Sequence, residues 1–489
     1  MFACDPAVDA SQTHETFACI CHSPAFARLN GVLASKFSRR TFLTGAAASA
    51  GLLALGPGRL LAAVPAPPKN PVAFTNIRLF DGTSETVRTG MRVLVDGKTI
   101  KAVEPDTAPL PPDVQAVDCG GRTLMPGLID AHVHVMMAAI SMQVLLTADV
   151  GYLNLLAAQE AERMLMRGFT SVRDLSGPTF GLKRAIDGGI CAGPRIWPSG
   201  AMISQTSGHG DFRMPYEIPS PPGAPFSRAE AIGGSAIADG VDEVLKRCRE
   251  QLMLGASQLK LAAGGGVSSN YDPLDSSQYT VAEFRAAVDA AENWGTYVTV
   301  HAYMPRAIQI ALRGGVRCID HGQLMDEETA KIMAGDGIWL STQPFDETHG
   351  YQFSEGTPNR VKQLEMFAGT KRAYQLAREH KLKTAWGTDL LFDAEGAATQ
   401  TAQLAKMTKY GFSAAEALKM ATATNAELLA MSGPRTPYPA PVGRIAQGAF
   451  ADLLLVDGDP TVDLNVLVDA EQNLKIIMKD GVFHKNMLA

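Results

Sequence analysis

The stretch LMPGLIDAHVHV, residues 124–135, is a short apolar run that closes on two histidines one residue apart. Side chains at i and i+2 of a strand share a face. His132 and His134 can therefore aim both imidazoles at one point. Alone, such an H-x-H pair also occurs on exposed strands, but the same design recurs downstream. GASQLK (255–260) closes on Lys260, TYVTVH (296–301) on His301, RCIDH (317–321) on His321 and KTAWGTD (383–389) on Asp389. Five apolar runs that each end in a ligand-type residue predict an α/β fold, a (β/α)8 TIM barrel with its chemistry at one rim.

Outward from these runs the middle of the chain alternates strand and helix. LLAAQEAERMLMRGF, DEVLKRCREQLMLGA, VAEFRAAVDAAENWG and KRAYQLAREHK carry apolar residues at helical spacing, and the ligand runs lie between or beside them. That alternation favours one barrel over two doubly wound domains. Residues 72–125 instead read as short strands separated by Gly, Asp and Pro turns, and so does the stretch from VGRIAQGAF to the end. The expected division is a signal region at 1–66, a composite β-sandwich domain from 67–125 with 438–489, and a barrel at 126–437. The Pro- and Gly-rich insertion at 204–235 is long for a connection and is expected to cover the barrel mouth.

With 489 residues, 46% hydrophobic and 19% charged, the chain can bury a large core and does not read as disordered. A net charge of -6 without clustered Lys or Arg gives no nucleic-acid partner. Cys119, Cys191, Cys248 and Cys318 are far apart and form no C-x-x-C pair, so they are expected as small buried side chains. Ser38-Arg39-Arg40-Thr41-Phe42-Leu43, the apolar run GAAASAGLLALG and the small residues around 62–66 form a twin-arginine (Tat) export pattern. The expected location is the periplasm. The apolar run is shorter than the ~20 residues needed to span a bilayer, so no membrane attachment is expected after signal removal.

The chemistry rests on residue type. Lys260 stands between two leucines in an apolar strand. It is either a lysine that snorkels to water or a buried amine whose pKa burial lowers. A neutral amine can take up CO2 to give a carbamate with two oxygens, able to bridge two metal ions. Imidazole and carboxylate donors suit zinc, and manganese or cobalt could take the same set. Asp389 is either a turn or helix-cap residue or a carboxylate that touches metal and moves a proton from water to a leaving amine. Tyr303 shares a face with His301, as an ordinary packed tyrosine or a contact to substrate. His209, between Gly208 and Gly210, is a locally bonded loop residue or a stabiliser of a developing oxyanion. His349 and His380 read as peripheral, His380 at a charged helix end.

Taken together, PGLIDAHVHV, GASQLKLAAGGGV, VTVHAY, CIDHGQLMD, AWGTDL and GRIAQGAFADLLLVDGDP resemble the amidohydrolase superfamily. The resemblance spans residues 72–460 and is to the imidazolonepropionase-like and prolidase-like branch, including Xaa-Pro and Xaa-Arg/Lys carboxypeptidases and ochratoxinases. It implies two divalent metal ions, zinc by default. One would be held by His132, His134 and Asp389, the other by His301 and His321, with N6-carboxylated Lys260 bridging them. It implies hydrolysis, by metal-activated hydroxide, of the amide bond of N-acyl amino acids or dipeptides, ochratoxin A among them. A homo-oligomer acting on small molecules is the implied assembly. Cyclic-amide or lactone hydrolysis on the same site is the alternative reaction, and a non-catalytic scaffold with this fold is the alternative class.

Overall fold

The computed structural model describes residues 64–488 apart from residue 222. The twin-arginine segment lies outside the described residues. Eight short parallel strands form the barrel: Leu128–Val133, Phe169–Asp174, Arg195–Pro198, Leu259–Ala262, Val298–Ala302, Cys318–His321, Trp339–Thr342 and Lys383–Trp386. Strands one to three pair in parallel, and strands four to eight pair in parallel as a second set.

Two joints complete the ring. Between strands three and four, Ser257 N donates to Pro198 O (2.8 Å) and the Gln258 side chain donates to Trp197 O (2.9 Å). Between strands eight and one, Asp389 N donates to His132 O (2.8 Å). Below that bond, the Asn425 side chain acts as a strand's worth of backbone. Its amide donates to Ile129 O (2.7 Å) and Trp386 O (2.8 Å), and its oxygen accepts from Trp386 N (3.0 Å). Gly387 makes the approach possible, since a β carbon there would lie 2.6 Å from His132 N. Asn425 is delivered by a π-helical turn, Met420–Thr424, which shifts the helix register just before it.

The helices are placed by ordinary end signals. Val281–Trp294 starts at a Thr280/Glu283 capping box and ends at Gly295, where φ is 70°. Pro358–Glu379 starts with a Thr357 cap and proline in its first turn, and His380 caps its other end, as its charged sequence suggests. Leu252, Phe284, Ile308 and Met333 from the helices pack on Leu259, Val300, Ile319 and Leu340 from the strands. Alternation then turns Lys260, Thr299, His301 and Asp320 into the barrel. The four described cysteines are free and buried, as expected. Among the described residues no helix is long and apolar enough to cross a membrane.

Strands from both sides of the barrel sequence join in one eight-stranded sheet. The joint is Thr123–Pro126, antiparallel to Leu453–Val456. One face puts Leu454, Leu474 and Ile477 against Leu128, Phe169, Trp386 and Leu418, which fixes the sheet to the barrel. Residues 204–235 are not a bare loop. Met202–Ser204 and Ser235–Ile237 pair in parallel at its base, and Phe212, Ala229 and Ile232 reach the cavity at the barrel mouth.

Candidate metal centre

All eight residues singled out from sequence line one cavity: His132, His134, His209, Lys260, His301, Tyr303, His321 and Asp389. The cavity has about 1390 Å³ of free space, counting its open mouth. Its donors come from different barrel strands, as the spacing predicts. Three of them already form a cage, because ligand atoms of His132, His134 and Asp389 lie within 4.8 Å of one another. Asp389 Oδ1 is 3.0 Å from His134 Nε2 and 3.4 Å from His132 Nε2, yet no well-formed hydrogen bond satisfies it. A buried carboxylate oxygen left unpaired among imidazoles fits a cation.

The other donors face the same space. The His301 and His321 rings lie 4.4 Å apart, and His132 and His321 4.8 Å apart. Each of the two later histidines spends one nitrogen on the protein. His301 Nε2 meets Gly265 O at 3.2 Å, and His321 Nδ1 meets Gln343 Oε1 at 2.9 Å. The opposite nitrogen of each is left without a partner among the described residues, the arrangement that orients an imidazole towards a metal. Burial lowers the pKa of His132 to about 4 and those of His301 and His321 well below the ordinary value. All three rings are thus neutral donors at pH 7. Burial alone would raise the Asp389 pKa, but the imidazoles of His132, His134 and His321 outweigh it and hold the carboxylate ionised.

Backbone strain sits at two of these positions. His321 has φ 81° and Asp389 φ 52°, the left-handed region that non-glycine residues seldom occupy. At His321 the turn ends the strand's alternation, so Asp320 and His321 both face inward although they are adjacent.

Asp320 is the main residue that the sequence reading missed. Lys260 Nζ donates to its Oδ2 (2.5 Å), Thr299 Oγ1 to the same oxygen (2.7 Å) and Arg173 to its Oδ1 (2.6 Å). Burial would raise the Asp320 pKa, but Lys260 and Arg173 reverse that and keep it ionised. Burial lowers the Lys260 pKa against the opposing pull of Asp320. Lys260 is therefore a buried amine that lines the cavity and does not snorkel to the surface. The signal for Asp320 was present in IDHG, but strict alternation assigns it to the face opposite His321.

Tyr303 is packed and also borders the cavity. Its ring packs with Val267, Phe345 and Met366, and burial raises its pKa well above the ordinary value, so the phenol keeps its proton. His209 stacks on His301 at 3.9 Å, with Nδ1 2.8 Å from Ser269 Oγ and 3.7 Å from Asp272 Oδ2. Gly266 makes room for that ring, since a β carbon there would lie 1.9 Å from His209 Nδ1. His349 departs from its expected peripheral position. It is buried and borders the cavity, because the loop after strand seven folds back over the mouth.

A parallel eight-stranded barrel with a His/Asp cage at its rim is an architecture that can carry metal-assisted hydrolysis. The chain belongs to the amidohydrolase family, whose sequence profile, described as "Amidohydrolase family", matches residues 123–483. It is 31% identical over 364 residues to ochratoxinase from Aspergillus niger, covering 70% of this chain and 72% of that protein. Among solved structures it is similar to a prolidase complexed with N-methylphosphonate-L-proline, with TM-score 0.77 and 34% identity over 85% of this chain and 100% of the other. It is also similar to a Xaa-Pro dipeptidase with bound methionine, with TM-score 0.73 and 27% identity over 85% of this chain and 100% of the other. The chain is thus a hydrolase that acts on amide or peptide C–N bonds.

Proposed function

We propose that this chain is a binuclear-metal amidohydrolase that cleaves the amide bond of N-acyl amino acids or dipeptides with a large apolar part, ochratoxin A included. One observation carries the reading: a cage of His132, His134 and Asp389 faces His301, His321 and Lys260 at the floor of a mostly apolar cavity. Met142, Leu145, Leu153, Phe353 and Phe392 give that cavity apolar walls suited to an aromatic or aliphatic group. The similarity to an ochratoxinase and to prolidases supports the same substrate class.

His132, His134 and Asp389 would hold one divalent ion and His301 and His321 a second, with carboxylated Lys260 between them. Zinc is the default. Bound there, the ions would lower the pKa of a water and polarise the scissile carbonyl. The chain's own groups do the rest. Asp389, ionised, takes the proton from the attacking water and delivers it to the departing nitrogen. Tyr303, protonated, donates a hydrogen bond as negative charge grows on the carbonyl oxygen, and His209 is a second donor at that rim. Gln343 holds His321 in position, and Asp320 accepts from the Lys260 nitrogen, which would keep one N–H for it after carboxylation. We further propose export by the twin-arginine route, a homo-oligomeric enzyme and a two-layered, sandwich-like packing of the sheet formed by both chain ends.

The test is a hydrolysis panel on protein of measured metal content. It holds ochratoxin A, N-benzoyl amino acids, dipeptides ending in Pro, Phe, Arg or Lys, hydantoins and lactones. Release of amino acid from the apolar amides, with about two metals per chain, is expected. Turnover of lactones alone, or a metal-free active enzyme, would sink the proposal.

A further inference from the structure

Away from the cage, the polar members of the cavity wall are largely committed to the protein. Ser176 Oγ donates to Gly234 O (2.7 Å), and the Gln363 amide donates to Tyr351 O (2.9 Å). His349 differs. It lies in QPFDETHG (343–350) after strand seven, edge-on to Phe345 with ring centroids 4.5 Å apart.

A chain of hydrogen bonds fixes its tautomer. The Thr399 hydroxyl donates to Gly396 O (2.7 Å), so its oxygen is the acceptor for Gln403 Nε2 (2.8 Å). Gln403 therefore turns Oε1 towards His349 Nδ1 (3.2 Å), and that nitrogen carries the ring proton. Nε2 is left as a bare acceptor. No donor among the described residues is bonded to it, and His349 lines the cavity. Burial lowers the pKa of the ring to about 4, which keeps it neutral at pH 7.

We propose that His349 Nε2 accepts a hydrogen bond from an O–H or N–H on the apolar half of the substrate. His349 is then a specificity-determining residue, and the preferred substrates are amides whose aromatic or aliphatic acyl group carries a donor. The assignment rests on the amide-hydrolase reading above. A substrate without the donor leaves a neutral acceptor unpaired in an apolar wall, which site-built hydrogen bonding punishes more than a missing methylene does.

The experiment uses N-benzoyl-L-phenylalanines with hydroxyl or methoxy at the ortho, meta or para position, and the matching free benzoic acids as binding probes. Metal-loaded wild type is compared with His349→Phe and with His349→Gln, which keeps an acceptor; each fold is checked by circular dichroism. Wild type should favour at least one hydroxy isomer over its methoxy partner by about tenfold in kcat/KM, mostly through KM. His349→Phe should bring that ratio to about one, and His349→Gln should retain part of it. The bound benzoic acids should follow the same order. No hydroxy preference in wild type, or an equal preference in His349→Phe, overturns the assignment. If no amide turns over but the benzoic acids still lose their hydroxy preference in His349→Phe, the hydrolase reading fails and the role of His349 stands. If amides turn over with a ratio indifferent to residue 349, the reverse holds.

Discussion

Asp389 joins three demands in one side chain: an unpaired oxygen among imidazoles, a left-handed backbone and a bond from its own N–H to His132 O. Asparagine keeps the shape and tolerates the backbone, but it can neither ionise nor carry the proton. Asp389→Asn is expected to lower kcat by at least about 10³-fold while leaving the circular dichroism spectrum unchanged; near-normal turnover would remove Asp389 from the reaction. Gly266 works by absence. In Gly266→Ala the new methyl meets the His209 ring at about 2.0 Å, far inside van der Waals contact. The ring must leave its stack on His301. A fall in kcat/KM is expected, with a stability loss of about 1–3 kcal/mol from overpacking. Unchanged kinetics would show that His209 has no part in turnover. The residues that line the cavity were legible in the sequence because His, Lys and Asp stand out against apolar strands. Asp320 was not, because φ 81° at His321 lets two neighbours face one way, and no spacing rule anticipates that.

At the scale of elements, the five strands that end in candidate ligands were readable, whereas strand seven, Trp339–Thr342, was not marked. It is four residues long and carries no metal donor, so only its place in the ring defines it. The closure between strands eight and one was equally hidden. It depends on Asn425, far along the chain, and on the extra residue of a π turn. Asn425→Ala removes three hydrogen bonds and leaves Ile129 O, Trp386 N and Trp386 O buried at the seam. Each unsatisfied group costs about 1–3 kcal/mol, so a loss of roughly 3 kcal/mol or more is expected in urea unfolding. A shift below about 1 kcal/mol would mean that the ring does not need this clasp. Because His132 and Asp389 flank the seam, metal affinity should fall in the same variant.

For the whole molecule, acid should be more damaging than base. Burial lowers His132, His349 and His484 to about 4 and holds His301 and His321 well below the ordinary value of about 6.5 for histidine in an unfolded chain. Between those values the unfolded chain binds more protons, so their contribution is complete above pH 6.5 and is lost as pH falls through 4. Buried Asp130 and Asp174, raised to about 6 and about 7, act in the opposite sense. Five imidazoles against two carboxyls decide the direction. The urea midpoint of the metal-free protein should drop between pH 6.5 and 4, and a flat or rising midpoint would contradict the burial of these rings. The sheet has a consequence in time. Thr123 Oγ1 donates to Gly458 O across 335 residues of sequence, and the strand it belongs to runs straight into the one bearing His132. During synthesis at about 5–20 residues per second, that strand waits on the order of tens of seconds for its neighbour to leave the ribosome. The strand that leads into His132 is thus among the last parts of the nascent chain to find its hydrogen-bonding neighbour.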